Sequence, residues 1–167
     1  VSAARKAFGS WSGRSAYNRG QILYRIGEML EGRKADLTQL IVESTGVTPA
    51  KATAEVEASI DRVIWYAGWA DKYQQIFGAV NPVSLPYFDF TAPEATGVVG
   101  IVAADELSLL PLISQIAPVI VSGNTCVVIA SEKFPILSLV FGEILQTSDV
   151  PAGVVNLLTT ENRNELA

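Results

Sequence analysis

The side chains able to do chemistry stand in a few short groups: Asp105-Glu106, Ser131-Glu132-Lys133, Thr159-Thr160-Glu161-Asn162 and the single thiol, Cys126. Two adjacent carboxylates serve either as a helix cap, where the helix dipole and free N–H groups favour negative charge, or as a general acid/base pair. The second role needs a partner group and a pKa moved toward neutrality; the sequence shows neither, so capping is the expectation for Asp105 and Glu106. Ser131-Glu132 has two readings: the serine caps the helix that follows Pro135, or the pair meets a ribose hydroxyl. Cys126 lies between Thr125 and Val127 in an apolar run, where a free thiol behaves as a small hydrophobe. A nucleophile needs a loop or helix start that lowers its pKa. Trp65, Trp69 and Tyr73 recur at four-residue steps and could stack on bases or a cofactor, but in an acidic chain a face buried against a neighbouring element is expected. With no histidine, Ser/His and Cys/His nucleophile pairs and His-dependent metal sites are excluded, and no metal site is expected. Neither G-x-G-x-x-G nor G-x-x-x-x-G-K-[ST] occurs, so the two usual backbone cradles for phosphate are missing.

The elements that must position these groups follow from periodicity. Ile22, Ile26, Met29 and Leu30 form an apolar stripe within a helix over Tyr17 to Lys34. A second helix carries Leu37, Leu40 and Ile41 and is capped by Gly46. A third, the longest, runs from about Ala50 to Ile76, with Pro49 in its first turn and Val56, Ile60, Val63, Ala67 and Ala70 on one face. Pro82, Pro86 and Pro93 then make a connector, in which Tyr87 to Thr91 reads as a short edge strand. Three buried parallel strands follow, Gly97–Ala103, Thr125–Ala130 and Val154–Leu158, with amphipathic helices around Leu109–Ile120 and Leu137–Leu145 between them. This βαβαβ unit places ligands at the carboxyl ends of its strands, where the groups above stand. The fold class is α/β: N-terminal helices packed on a parallel βαβαβ sheet. One partial domain is expected over 1–167, with a helical part at 1–80 and the βαβαβ part at 96–158.

The chain has 167 residues, 49% hydrophobic and 17% charged, which suits one medium domain and excludes disorder. A net charge of -5 has the wrong sign for neutralising nucleic-acid phosphates, so no nucleic-acid partner is expected. Leu107 to Ser131 carries no charge and is long enough to span a bilayer, but Pro111, Pro118 and the turn Ser122-Gly123-Asn124 divide it, so no membrane span is expected. One cysteine leaves no intrachain disulfide, which fits a reducing, cytoplasmic setting. Val1 is not an initiator methionine and the first residues lack an apolar signal region, so the chain is expected to come from within a longer polypeptide.

Together these residues resemble the N-terminal part of an aldehyde dehydrogenase over nearly the whole chain. Ala7-Phe8-Gly9-Ser10-Trp11 and Tyr17-Asn18-Arg19-Gly20-Gln21-Ile22-Leu23 look like the family's first helices, and Ala54-Glu55-Val56-Glu57 leading to Tyr66-Ala67-Gly68 like its long one. The most specific match is the ordered string Gly97-Val98-Val99-Gly100, Ile116-Ala117-Pro118, Ser122-Gly123-Asn124-Thr125, Ser131-Glu132-Lys133, Pro135 and Pro151-Ala152-Gly153-Val154-Val155-Asn156. The resemblance implies a Rossmann-like cofactor fold and oxidation of an aldehyde with NAD or NADP through a covalent thiohemiacetal on a cysteine.

The family's functional positions are altered here. Where it carries Pro-Trp-Asn, whose Asn amide helps hold the oxyanion, this chain has Ala104-Asp105-Glu106; a carboxylate at Glu106 would repel the developing negative charge. Lys-Pro-Ser-Glu, whose Lys and Glu contact the adenosine ribose, is Ile129-Ala130-Ser131-Glu132. Ser131 and Glu132 are thus the residues left for NAD, and loss of the Lys disfavours NADP. The glycine-rich turn after the third strand is replaced by Thr159-Thr160-Glu161-Asn162, which would crowd a pyrophosphate. The nucleophilic Cys, the general-base Glu and the Gly-rich helix belong beyond Ala167. The pattern resembles the degenerate module of the family-16 aldehyde dehydrogenases, which join two dehydrogenase-like modules in one chain. It implies a non-catalytic segment with a structural, oligomerisation or partner-binding role. Its partners would be the rest of a longer parent chain and a second copy or a dehydrogenase-like domain. The alternative is part of an active NAD-dependent enzyme.

Overall fold

The computed structural model describes residues 1–105 and 108–162. Helix α1 (Ser2–Ser12) buries Ala4, Ala7 and Trp11, the positions its helical period brings to one side. After a short turn, Ser15 caps α2 (Ala16–Gly32) by accepting the Asn18 N–H at 3.2 Å. Helix α3 (Lys34–Thr45) ends on Gly46 with φ 72°, as its place in the sequence predicts. Thr48 and Pro49 open α4 (Pro49–Trp69), the hydroxyl accepting from Lys51 N.

Helix α4 stops short of the Ile76 end that its apolar spacing predicts. The backbone switches to three-residue hydrogen bonds, Ala70 N to Ala67 O and Lys72 N to Trp69 O, and the Lys72 ammonium takes the Gly68 carbonyl. A separate turn of helix, α5 (Tyr73–Phe77), follows. The buried stripe of α4 is Ala52, Val56, Ser59, Val63 and Ala67. Trp65 is two residues from both Val63 and Ala67, about 200° around the helix, and so faces outward at 54% exposure. The expected burial is therefore overturned at Trp65, while Trp69 and Tyr73 are half-buried. Trp65 instead packs on Tyr66 and Trp69 at the surface, with ring centroids 4.9 and 5.3 Å apart.

The connector forms a hairpin of β1 (Ala79–Asn81) and β2 (Asp89–Thr91), antiparallel with Val80 opposite Phe90. The predicted edge strand is thus shortened to Asp89–Thr91 and finds a partner that the sequence pattern does not show. Val80, Leu85, Tyr87, Phe88 and Phe90 all stand exposed on this ribbon.

Beyond it, β3 (Val98–Val102), α6 (Leu110–Val121), β4 (Thr125–Ile129), α7 (Pro135–Thr147) and β5 (Val155–Leu158) build the βαβαβ unit. The three strands are parallel in the order β3-β4-β5, with Val98 opposite Thr125 and Cys126 opposite Val155. Helix α1 touches all three strands. Its Trp11 indole donates to Ile120 O at 3.0 Å, and Thr125 Oγ1 donates to Ala4 O at 3.1 Å. One continuous core joins Leu23, Ile26 and Val63 of the helices to Ile101, Ile113 and Val128 of the βαβαβ unit. Gly20 permits the close approach of α2 and α4: a Cβ there would stand 3.1 Å from Ala70 Cβ.

Arg19, only 5% exposed, has a physical account in this packing. Its guanidinium donates to Val121 O, the last residue of α6, to Ser12 O, the last of α1, and to Arg14 O. The partial negative charges of two helix C-termini compensate the buried cation.

Candidate functional site

The carboxyl ends of the three strands lie side by side, and backbone bonds extend the pairing past the strands, Ala103 N to Ile129 O and Ala130 N to Leu158 O. This brings together the loops that begin at Ala103, Ala130 and Thr159. Asp105, half-buried, accepts a 2.5 Å hydrogen bond from Ser131 Oγ. Ser131 is 4% exposed, and its oxygen also accepts the N–H groups of Lys133 and Phe134, each at 3.2 Å. It thus closes the turn that precedes α7 rather than capping the helix, whose start at Pro135 takes no side-chain cap hydrogen bond. Glu132 is exposed beside it, and Thr160 Oγ1 closes a turn with Asn162. Glu106, the residue standing at the oxyanion position by resemblance, lies outside the described residues.

For Asp105, the expected cap of the following helix is corrected. Helix α6 starts at Leu110 with no side-chain cap from the described residues of its own flank, and Asp105 bonds to Ser131. The free N–H groups of α6 are taken by a residue from α4. Glu55 Oε1 accepts Ser108 N at 3.1 Å, Ser108 Oγ at 3.0 Å, Leu109 N at 2.7 Å and Leu110 N at 3.3 Å. One sequence signal points there. Glu55 is three residues after Ala52 and four before Ser59, so it is a carboxylate on the edge of a buried stripe, where a charge needs partners.

Cys126 is fully buried, and loss of solvent pushes its thiol up to about 12, against the pull of a hydrogen bond from the Asn156 backbone. It packs in the core as expected and holds its proton, which is no state for a nucleophile. Asn156 itself ties the strand ends together, donating to Cys126 O at 2.9 Å and Gly153 O at 2.8 Å. On the far side of α4, Asp61, Arg62, Trp65 and Tyr66 line a cleft of about 540 Å³, and Arg62 donates to Ser114 Oγ across to α6.

What the strand ends can do chemically is limited by these bonds. The Ser131 hydroxyl spends its proton on Asp105 and its lone pairs on two amides, so it does not fit a ribose contact. Among the described residues of the three loops, Asp105, Glu132 and Glu161 stand against one cation, Lys133, which does not fit a dinucleotide pyrophosphate. No group of His, Cys, Asp and Glu among the described residues could hold a metal ion. No helix among them is long and apolar enough to cross a membrane.

The aldehyde dehydrogenase family model matches residues 1–166. Retinal dehydrogenase 2 of Gallus gallus is 36% identical over 162 residues, which cover 95% of this chain and 31% of that protein. Aldehyde dehydrogenase 1A1 of Gallus gallus is 33% identical over the same shares. Among solved structures, PnpE in complex with nicotinamide adenine dinucleotide superposes with a TM-score of 0.90 at 28% identity, covering 95% of this chain and 32% of that one. The NAD+ complex of an aldehyde dehydrogenase from Bacillus cereus gives 0.89 at 27%, over the same shares. The chain therefore spans about a third of the length of these relatives. The match over nearly every residue, with the same arrangement of helices and parallel strands, settles the kinship: the chain belongs to the aldehyde dehydrogenase family.

Proposed function

We propose that this segment is a non-catalytic module of a longer, cytoplasmic aldehyde dehydrogenase family protein, of the degenerate family-16 type. Its work is to hold the parent assembly together rather than to turn over an aldehyde. The observation that carries the reading is the Ser131 hydroxyl, whose three hydrogen bonds go to Asp105, Lys133 and Phe134 at the strand ends. The acidic balance of the three loops supports it, and so does the ribbon of β1 and β2, whose exposed Leu85, Phe88 and Phe90 suit contact with a second copy or a dehydrogenase-like domain. The test is amide exchange in the intact protein with and without NAD+. The Ser131–Phe134 segment should exchange at the same rate in both; protection of that segment by NAD+ overturns the reading.

A second reading is favoured by the likeness to two NAD-bound structures and by Glu132, which stands exposed past the end of β4. Here the segment is the cofactor-contacting part of an active NAD-dependent enzyme that converts aldehydes to carboxylic acids, its nucleophilic Cys and base Glu lying elsewhere in the parent. It requires NAD+ protection at Ser131–Phe134, and aldehyde-dependent NADH formation that falls when Glu132 is replaced by Ala.

A further inference from the structure

We infer that Glu55 is the positioning residue of the strand-end site: a carboxylate on α4 that seats the start of α6 and thereby sets how Asp105 meets Ser131. The inference rests on the proposed placement of the site at the strand ends. Helix α6 begins with apolar residues, Leu109 and Leu110, followed by Pro111, and takes no side-chain cap from the described residues of its own flank. Its first N–H groups need acceptors, because Ser108 and Leu109 are buried from water. Glu55 Oε1 accepts the N–H groups of Ser108, Leu109 and Leu110 and the Ser108 hydroxyl, at 2.7 to 3.3 Å. A charged acceptor at a helix N-terminus gains both from the hydrogen bonds and from the helix dipole.

The backbone that carries the carboxylate is itself well anchored. Ala52, Val56 and Ser59 around it are buried, and Ser59 Oγ donates back to Glu55 O at 2.7 Å. Asp105 is three residues upstream of Ser108, a tether of at most about 11 Å. The described residues on the two sides of 106–107 are each pinned, Ser108–Leu110 by Glu55 and Asp105 by Ser131. Loosening the first pin frees the second, and with it the geometry that Ser131 gives to Lys133 and Phe134. Shape alone does not explain this device: the acceptor has to reach across from another helix, and its negative charge strengthens bonds that four donors share on one oxygen.

The test is residue-resolved amide exchange on the intact protein and its Glu55→Gln variant, which keeps the side chain's size and removes its charge. The expected result is exchange at least tenfold faster at Ser108, Leu109 and Leu110, accompanied by faster exchange at Lys133 and Phe134. The core of α2 at Leu23–Ile26 should be unchanged. A cap of purely local effect would move the first group and leave Lys133 and Phe134 as they were, and that result overturns the inference, as does no change at either place. If Glu55→Gln speeds exchange everywhere, Glu55→Asp, which retains the charge on a shorter stem, is judged by the same comparison of the two groups. No ligand enters the experiment, so its outcome is independent of whether the module binds NAD.

Discussion

At the scale of single residues, the strand ends of this chain are organised by hydroxyls, carboxylates and amides that satisfy one another. Replacing Ser131 by Ala removes the acceptor for two amides and the donor to Asp105, and should cost about 1–2 kcal/mol in urea denaturation. Cys126 supports a second prediction. Its thiol, raised from 9.0 to about 12 by burial, should resist alkylation in the native protein and react fully once the chain is unfolded. Below pH 9 both states keep the proton and the thiol's contribution to stability is whole. Above it the unfolded chain ionises first, so stability should fall with rising pH by up to about 1.4 kcal/mol per unit, until about pH 12. A Cys126→Ala variant should lose that component of the slope. Cys126 was legible because its local neighbours, an apolar run, decide its role; Ser131 reads as a helix cap or a ribose contact and instead closes a turn ahead of Pro135. Glu55 was not legible, because its partners at Ser108–Leu110 lie 53 to 55 residues away and nothing in the spacing names them.

At the scale of elements, the same contrast holds. The three strands of the βαβαβ unit were legible as short uncharged, mainly apolar runs, and the caps at Gly46 and Pro49 as residue types with one favoured place. The end of α4 was not, since apolar spacing continues through Ala70 to Ile76 while the backbone has already turned at Trp69. Strand β1 has three residues, two exposed and one half-buried, and so carries no alternation that could mark it. The ribbon it forms with β2 leads to a third prediction. Phe88 and Phe90, with ring centroids 5.8 Å apart, and Leu85, 93% exposed, offer an apolar surface that water disfavours. Changing Leu85, Phe88 and Phe90 together to Ser should weaken self-association of the intact protein in sedimentation velocity by tenfold or more, and leave its circular dichroism unchanged. An unaltered sedimentation profile would remove the ribbon from the assembly.

At the scale of the whole molecule, the helical part and the sheet share one core, and α1 is the element that closes it. Trp11 is fully buried and also satisfies Ile120 O. Trp11→Ala should therefore cost about 3–5 kcal/mol by chemical denaturation, as large aromatic truncations in cores do. The contact at the far end of this helix has a kinetic meaning. Ala4 and Thr125 are joined across 121 residues, so α1, which leaves the ribosome ahead of the other helices and strands of this segment, has no seat until the central strand of the sheet has been made. Its apolar side, with Ala4, Ala7 and Trp11, must wait through the synthesis of most of the segment. Docking waits on translation at this place: α1 is made ahead of β4 and seated only after it, and the nascent chain carries an undocked tryptophan for the whole of that interval.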